Sequence, residues 1–206
     1  SMQPTVIIGE DDMGPPAIIK QLQSLSLDIK IIEETQTALG VLDKIKCIGK
    51  ILNVENKCNN IIQKKIYPAI EDLNHLASMK GIENKKVMLI LGMKGSSAIV
   101  AGNNTSGNSF IEMIGARNIY SAIEGWQAVS EESIIEYNPD FIILPEENLH
   151  KNSTINTIKT NPIFANTKAG KNNNFISDDG MAILGFGPRT IFSAVKAAKI
   201  IIKDIK

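Results

Sequence analysis

Residues 54–79 read VENKCNNIIQKKIYPAIEDLNHLASM, a long and mostly polar segment. Apolar side chains recur along it at intervals of three and four residues, which predicts a continuous helix with one narrow apolar stripe. That stripe consists of Cys58, Ile61, Ile62, Ile66, Ile70, Leu73 and Leu76. Asn53 is the predicted N-cap, and Pro68 should kink the helix or remove one of its hydrogen bonds. A narrow stripe on a long helix suits a bridge between two lobes, so we predict a linker helix over residues 54–84.

The segments on either side of this linker differ in size. Residues 5–8 and 28–32 are short β-branched strands, and residues 17–25 between them have the pattern of a helix. Such a β-α-β unit has a sheet only two strands wide and cannot bury both of its faces. From residue 86 onward strands alternate with helices, which indicates a doubly wound α/β lobe. The predicted fold is therefore α/β, with two Rossmann-like lobes joined by a single long helix: an incomplete first lobe over residues 1–53 and a second lobe over residues 85–206.

Charge and composition argue against several classes of function. The chain has 22 Lys and Arg residues and 22 Asp and Glu residues, so its formal net charge is zero, and aromatic residues make up only 5%. A surface for nucleic acid needs a basic excess or aromatic stacking platforms, so we expect no nucleic-acid partner. No apolar run approaches the roughly 18–20 residues that span a bilayer.

Motifs for catalysis are absent from the sequence. It shows no Ser-His-Asp order, no pair of carboxylates at helical spacing and no Cys/His cluster, so we predict that the chain is not an enzyme. The competing hypothesis is a nucleotide-binding α/β enzyme, because residues 87–97 (VMLILGMKGSS) place glycines and serines after a strand. That stretch lacks both Gly-x-Gly-x-x-Gly and the Gly-Lys-Ser/Thr of a P-loop.

Cysteines and histidines identify no metal ligand. Cys47 and Cys58 are predicted to be buried free thiols on helices, with a disulfide in an oxidising compartment as the alternative. His75 and His150 are the only histidines and belong to no ligand cluster.

Four segments carry a family resemblance when they are taken together and in order. They are residues 4–21 (PTVIIGEDDMGPPAIIKQ), 102–118 (GNNTSGNSFIEMIGARN), 129–144 (VSEESIIEYNPDFIIL) and 169–190, which ends in LGFGPRT. Together they resemble the heme-type branch of the helix-linked periplasmic binding proteins, the receptors of iron-siderophore, cobalamin and heme importers. The resemblance implies a periplasmic receptor that delivers heme to an ABC permease in the inner membrane. Cobalamin or an iron siderophore is the alternative ligand.

The resemblance also implies a chain that is truncated at its N-terminus. Members of this family begin with a further stretch before the Pro-Thr-Val strand, and in heme-binding relatives a tyrosine of that stretch supplies the axial ligand to iron. Tyr67, Tyr120 and Tyr137 do not belong to that motif, so the sequence identifies no axial ligand. The uncovered apolar face of an incomplete lobe should pair with a second copy, which predicts a homodimer.

Four residues are candidates for contact with the ligand. Asn104 and Thr105 precede a helix, whose first amides can receive a carboxylate such as a propionate; a helix cap by Thr105 is the alternative. Met181 follows a strand and is a candidate for contact with a flat macrocycle or its iron, although simple packing is the favoured interpretation. Arg189 presents a fork of donors to a ligand carboxylate, or else holds its own loop by bonding carbonyls or Asp178.

Glu132 is the candidate for docking to the permease. It precedes Asp140 of the Asn-Pro-Asp motif by eight residues, and the resemblance implies that a glutamate at this position meets arginines of the permease. The alternative is a carboxylate that complements the dipole at the start of its own helix.

Overall fold

The first lobe is a small β-α-β-α unit. The computed structural model describes residues 4–25, 27–146 and 153–205. Strand β1 (Ile7–Glu10) is followed by helix α1 (Pro16–Ser24), strand β2 (Ile29–Ile32) and helix α2 (Ala38–Ile51). The two strands are parallel and form a two-stranded sheet of their own. The predicted unit is therefore confirmed, although β1 lies two residues later than predicted and β2 begins one residue later.

Several large apolar side chains of the first lobe are exposed. Helix α1 has no buried residue. The exposed large apolar side chains of this lobe are Ile18, Leu25, Ile31, Leu39 and Leu52. Exposed apolar surface favours self-association, and the homodimer stays a prediction.

The linker is helical from Glu55 to Ala77, in three consecutive parts. Helix α3 (Glu55–Ile61) leads into a π-helical turn (Ile62–Ile66), which continues as helix α4 (Tyr67–Ala77). Pro68 lies in the first turn of α4. A proline cannot donate the amide hydrogen bond of a regular helix and its ring crowds the preceding turn, so the wider turn before Pro68 accommodates it. The predicted disturbance at Pro68 therefore takes the form of a π-turn.

Asn53 ends α2 and does not cap the linker, so the predicted N-cap is wrong. Its φ of 55° is left-handed, and the residue preceding α3 is Val54. The amide of Val54 donates to the carbonyl of Gly49 (2.8 Å), and the amide of Asn53 donates to that of Lys50 (3.3 Å). These two bonds form a Schellman motif, in which asparagine tolerates the left-handed conformation.

The second lobe contains a six-stranded mixed sheet. Its elements in chain order are β3 (Lys86–Lys94), β4 (Ser97–Ala101), α5 (Ser106–Met113), β5 (Arg117–Asn118), β6 (Trp126–Val129), α6 (Glu131–Tyr137), β7 (Phe141–Glu146), α7 (Ser153–Thr160), α8 (Pro162–Ala165), α9 (Lys168–Lys171), β8 (Phe175–Asp179), α10 (Gly180–Leu184) and α11 (Pro188–Lys203). The strand order is β6-β4-β3-β7-β8, with β5 paired to β3. Strands β5, β7 and β8 belong to the parallel part of the sheet, whereas β4 and β6 are antiparallel to their neighbours.

Residues 87–97 form a β-hairpin. Lys94 of β3 lies opposite Ser97 of β4, and Gly95 in the turn between them has a φ of 62°. A phosphate-binding loop would lead from a strand into a helix, whereas here the chain turns back into an antiparallel strand. The motif that motivated the enzyme hypothesis is thus explained by a hairpin.

Apolar side chains cover both faces of this sheet. Val87 and Leu89 of β3 point to one face, where α5, α10 and α11 pack, and Met88 and Ile90 point to the other. All four side chains are at most 1% exposed, which accounts for the continuous apolar run in this strand.

The linker shares a core with both lobes. Ile62, Ile66, Ile70, Leu73 and Leu76 are buried in the same cluster as Leu42 of α2 and Ala197 of α11. At the rim, Lys199 of α11 forms an ion pair with Asp72 of the linker at 2.9 Å. The stripe therefore packs against the lobes along its length. Boundaries at residues 53/54 and 84/85 stay predictions. Among the described residues, no helix is both long and apolar enough to cross a membrane.

Replacing Leu73 by Ala should weaken the attachment of the linker to α11. Leu73 is 1% exposed, so the change should lower the free energy of unfolding by about 2–5 kcal/mol. The control is Leu39→Ala in α2, where the side chain is 66% exposed and little change is expected. Urea unfolding monitored by circular dichroism compares the two, and equal losses would contradict the buried packing of Leu73.

Candidate ligand cleft

A cleft of about 570 Å³ lies between loops of the first lobe and loops of the second. Its volume is within the range of about 300–1,000 Å³ that is usual for small-molecule sites. The first-lobe wall consists of Glu10, Asp12, Met13, Glu34, Thr35 and Gln36. The second-lobe wall consists of Asn104, Thr105, Ser106, Trp126, Met181, Leu184, Gly185 and Phe186. Three of the four candidate ligand residues, Asn104, Thr105 and Met181, thus line one cleft.

Asn104 and Thr105 are held in place by bonds within the protein. The Thr105 hydroxyl donates to the carbonyl of Gly102 (2.7 Å) and accepts from the amide of Asn108 (3.1 Å), so it caps α5. The side-chain amide of Asn104 donates to Oε1 of Glu124 at 2.6 Å. Thr105 therefore acts as the cap that was its alternative role, and contact of either residue with a ligand stays a prediction.

Gly102 begins the loop that carries Asn104 and Thr105, and the backbone near Ile123 lies too close to it for a side chain. A Cβ on Gly102 would lie 2.3 Å from the carbonyl oxygen of Ile123. The amide of Gly102 donates to the carbonyl of Gly125 at 3.0 Å. Strand β4, which precedes this loop, is antiparallel to β3. The loop therefore reaches the cleft from the second strand of the hairpin and not from the end of a parallel strand.

Met181 and Arg189 have different surroundings. The Met181 side chain lines the cleft and is 65% exposed, so it offers a free apolar surface. Arg189 is not among the lining residues, and its Nη1 lies 3.3 Å from a carboxylate oxygen of Asp179. Asp179 also caps α10 by accepting from the amide of Ala182 (3.1 Å). Arg189 thus holds its loop through Asp179 and not through Asp178, and its contact with a ligand stays a prediction.

Asp178, the residue before Asp179, has hydrogen-bond partners of its own. It accepts hydrogen bonds from the amide of Asp179 (2.9 Å), the hydroxyl of Ser193 (3.1 Å) and the ammonium of Lys196 (3.2 Å). Partial burial would raise the pKa of Asp178, but the Asp179 amide, Lys196 and Ser193 together outweigh it, so the pKa is lowered. These bonds fix the start of α10, which carries Met181.

The first-lobe wall is acidic, and bonds to residues outside the cleft hold some of its side chains in place. Glu10 forms an ion pair at 2.8 Å with Lys44 of α2, whose side chain is 7% exposed. The amide of Glu34 donates to Asp11 at 2.8 Å. The Ser109 hydroxyl of α5 donates to Oε1 of Gln36 at 2.8 Å, which joins the two lobes at the cleft.

Sequence reasoning missed this first-lobe wall. Glu10 ends β1, and Glu34 follows β2 by two residues. The rule that ligands sit beyond the carboxyl ends of parallel strands was applied to the second lobe alone. Applied to β1 and β2 as well, it would have identified both carboxylates.

Trp126 both packs and lines the cleft. It is the single tryptophan of the chain and is partly buried against the main core. A Cβ on Gly107 would lie 2.9 Å from its ring, so the glycine leaves room for the indole. Trp126 therefore packs against the core of the second lobe and is also exposed to the cleft.

Metal-binding side chains are not gathered in the described part of the chain. Residues 4–25, 27–146 and 153–205 contain no group of three or more His, Cys, Asp and Glu placed to hold an ion. Cys47 is an exposed free thiol, which contradicts its predicted burial, and Cys58 is a partly buried one. None of Tyr67, Tyr120 and Tyr137 lines the cleft, and His150 lies outside the described residues.

Glu132 lies in the first turn of α6, away from the cleft. Its side chain is fully exposed, and hydrogen bonds from its own amide and from Ser130 lower the pKa of the carboxyl group. The carboxylate therefore supports the start of its helix and remains accessible to a partner.

Comparison with known proteins identifies the family. The profile described as "Periplasmic binding protein" matches residues 1–182. The chain belongs to this family. The structure has the α/β fold that the sequence predicts. The matched family is one of binding proteins and not of nucleotide-binding enzymes, the competing hypothesis.

Relatives of this periplasmic binding protein are named for different ligands. The Fe(3+)-citrate-binding protein YfmC of Bacillus subtilis is 26% identical over the whole chain and 62% of its own length. HutB of Vibrio cholerae, a periplasmic heme-binding protein, is 30% identical with a TM-score of 0.78, over 96% of this chain and 77% of that one. The heme-binding protein BhuT has a TM-score of 0.84 at 22% identity, over 98% of this chain and 76% of that one, and shows the fold. The chain spans 46% and 62% of two curated relatives.

Replacing Asp178 by Asn tests the network below Met181. Because the folded pKa is below the ordinary 3.8, the carboxylate stabilises the fold above about pH 4, and this contribution is lost as the pH falls through the folded pKa. The variant should be less stable than the parent by up to about 1 kcal/mol at pH 7, and the difference should shrink as the pH falls below the ordinary value and vanish once the carboxyl group is protonated in the folded state. Urea unfolding at each pH measures it, with Asp43→Asn as the exposed control; a constant difference across pH would contradict the network.

Proposed function

We propose that this periplasmic binding protein receives heme in the cleft and delivers it to the permease of an ABC importer. On this proposal the chain works outside the cytoplasmic membrane, performs no chemistry of its own and releases its ligand unchanged. The similarity to HutB, a heme-binding protein, supports the choice of ligand at 30% identity.

The cleft itself is the observation that carries this proposal. Met181 and Trp126 offer apolar surface there, and Leu184 and Phe186 extend the same wall. A flat macrocycle needs such a wall, and polar groups at its margin can orient the ends of the ligand. The first amides of α5, next to Asn104 and Thr105, are the groups we propose for a propionate.

Other ligands of the same transport class remain alternatives. Similarity to YfmC over the whole chain favours a ferric citrate complex. Cobalamin and iron siderophores are the other large metal-bearing ligands that the resemblance implied, and neither is favoured by a residue of the cleft.

Hemin titration tests the proposal directly. Because Trp126 is the single tryptophan and lines the cleft, bound hemin should quench its fluorescence and shift the Soret band. Met181→Ala removes an apolar surface and should weaken hemin binding by about five- to tenfold, which corresponds to about 1–1.4 kcal/mol.

Met93→Ala is the matched control, since Met93 belongs to β3 and does not line the cleft. Equal affinities of the two variants would argue against binding at this wall. A chain that shows neither quenching nor a Soret shift would refute the proposed function.

Glu132 is the residue we propose for the permease. Glu132→Gln should leave the hemin affinity and the folded stability nearly unchanged, because the side chain is fully exposed and distant from the cleft. The same variant should lower ligand-dependent ATPase activity of the importer reconstituted in nanodiscs by about threefold or more, through loss of one charge contact at the interface.

Glu136→Gln on the same helix is the control for the loss of one charge. Identical ATPase activity for Glu132→Gln and the parent chain would remove Glu132 from the interface.

A further inference from the structure

The charged residues of the cleft all have the same sign. Three carboxylates line it, those of Glu10, Asp12 and Glu34, and all three belong to the first lobe. Over the described part of the chain, no lysine or arginine is among the lining residues. A ligand in the cleft therefore lies next to negatively charged side chains on the first-lobe wall.

Two cations on the neighbouring elements, Lys44 and Arg189, are already paired. Lys44 is bonded to Glu10 at 2.8 Å and Arg189 to Asp179 at 3.3 Å, so each is neutralised by a carboxylate. Asp12 and Glu34 take part in none of the ion pairs found among the described residues. Glu34 accepts a hydrogen bond at 2.6 Å from Gln36, whose amide is neutral. Two carboxylates of the wall thus keep their charge uncompensated.

The opposite wall carries no charged side chain and holds the larger apolar side chains of the cleft. Met181, Trp126 and Leu184 supply this apolar surface, and the polar residues beside them, Asn104, Thr105 and Ser106, are neutral. A ligand that fills the cleft must therefore present apolar surface to one lobe and avoid negative charge toward the other.

We infer that the cleft selects metal complexes with a large apolar face and little negative charge, and that it disfavours polyanionic complexes such as ferric citrate. The inference rests on the proposed function and narrows its substrate class; the carboxylates act as a filter and are not themselves the binding site. Like charges placed face to face across a binding surface are costly, and proteins use such repulsion to reject unwanted partners. Heme has carboxylates at one edge only and can turn them away from this wall, whereas a citrate complex has carboxylates on many sides.

Two double variants with the same change in net charge test this filter. Asp12→Asn with Glu34→Gln removes the uncompensated charges of the cleft. The control is Glu33→Gln with Asp43→Asn, because Glu33 and Asp43 line a second groove between β2 and α2 and not the cleft. Hemin and ferric citrate are titrated separately into each variant and the parent, with Trp126 fluorescence and calorimetry as readouts.

The parent chain should bind hemin more tightly than ferric citrate. The cleft variant should gain about tenfold or more in affinity for ferric citrate, a larger gain than for hemin, and the control variant should gain less than about twofold. Raising the salt from about 10 mM to about 150 mM shortens the screening length from about 30 Å to about 8 Å. Ferric citrate binding to the parent should therefore strengthen with salt, and this dependence should weaken in the cleft variant.

Three outcomes decide the matter. Ferric citrate binding by the parent that equals or exceeds hemin binding would overturn the filter and leave the receptor function standing. Equal gains in the cleft and control variants would also overturn it, since the effect would then come from net charge alone. Binding of neither ligand would overturn the proposed function, and the inference with it.

Discussion

Burial of the linker stripe is the interaction on which the two-lobed arrangement depends. Ile66 and Leu73 are each 1% exposed, and they join one apolar cluster that includes Leu42 of the first lobe and Ala197 of the second. Each fully buried aliphatic side chain contributes about 1.5–3 kcal/mol, far more than an exposed ion pair such as Lys199 with Asp72. The position of the first lobe follows from this packing, and the width of the cleft follows from that position.

Polar bonds then set the cleft walls on this apolar frame. The hydrogen bond from Ser109 to Gln36 ties the lobes together beside the ligand space, and the ion pair of Lys44 with Glu10 fixes the end of β1. Lys44 is nearly buried, and an unpaired ammonium there would be costly, so Glu10 is needed by the fold as much as by the cleft. Because Glu10 is neutralised by Lys44, Asp12 and Glu34 supply the charges that a ligand meets. Glu10 therefore has a structural role, whereas Asp12 and Glu34 act on the choice of ligand.

Periodicity predicted the parts of the fold whose contacts are mostly local or strongly apolar. The linker stripe and the alternation of strands and helices after residue 86 were found in this way. Strand β6 (Trp126–Val129) was missed, because its two central residues are exposed and it is defined by pairing to β4, which the local sequence does not encode. Asn104, Thr105 and Met181 were placed at the cleft from their position next to strand and helix ends. The partner of Arg189 could not be predicted, since Asp178 and Asp179 are adjacent and only their opposite orientations decide between them.

The polar side chains near the cleft are bonded mainly to other groups of the protein, and this limits which groups can contact a ligand. The Thr105 hydroxyl, the Asn104 amide and the Arg189 guanidinium are each bonded to another group of the protein. Side chains engaged in this way are rigid, so they hold the loops without the entropy loss that mobile side chains suffer when a ligand binds. What remains for the ligand is apolar surface, backbone amides and an acidic wall. Such a surface discriminates by shape and charge. Affinity that rests on shape can be lost when the lobes shift, which is compatible with the proposed release of the ligand to a permease.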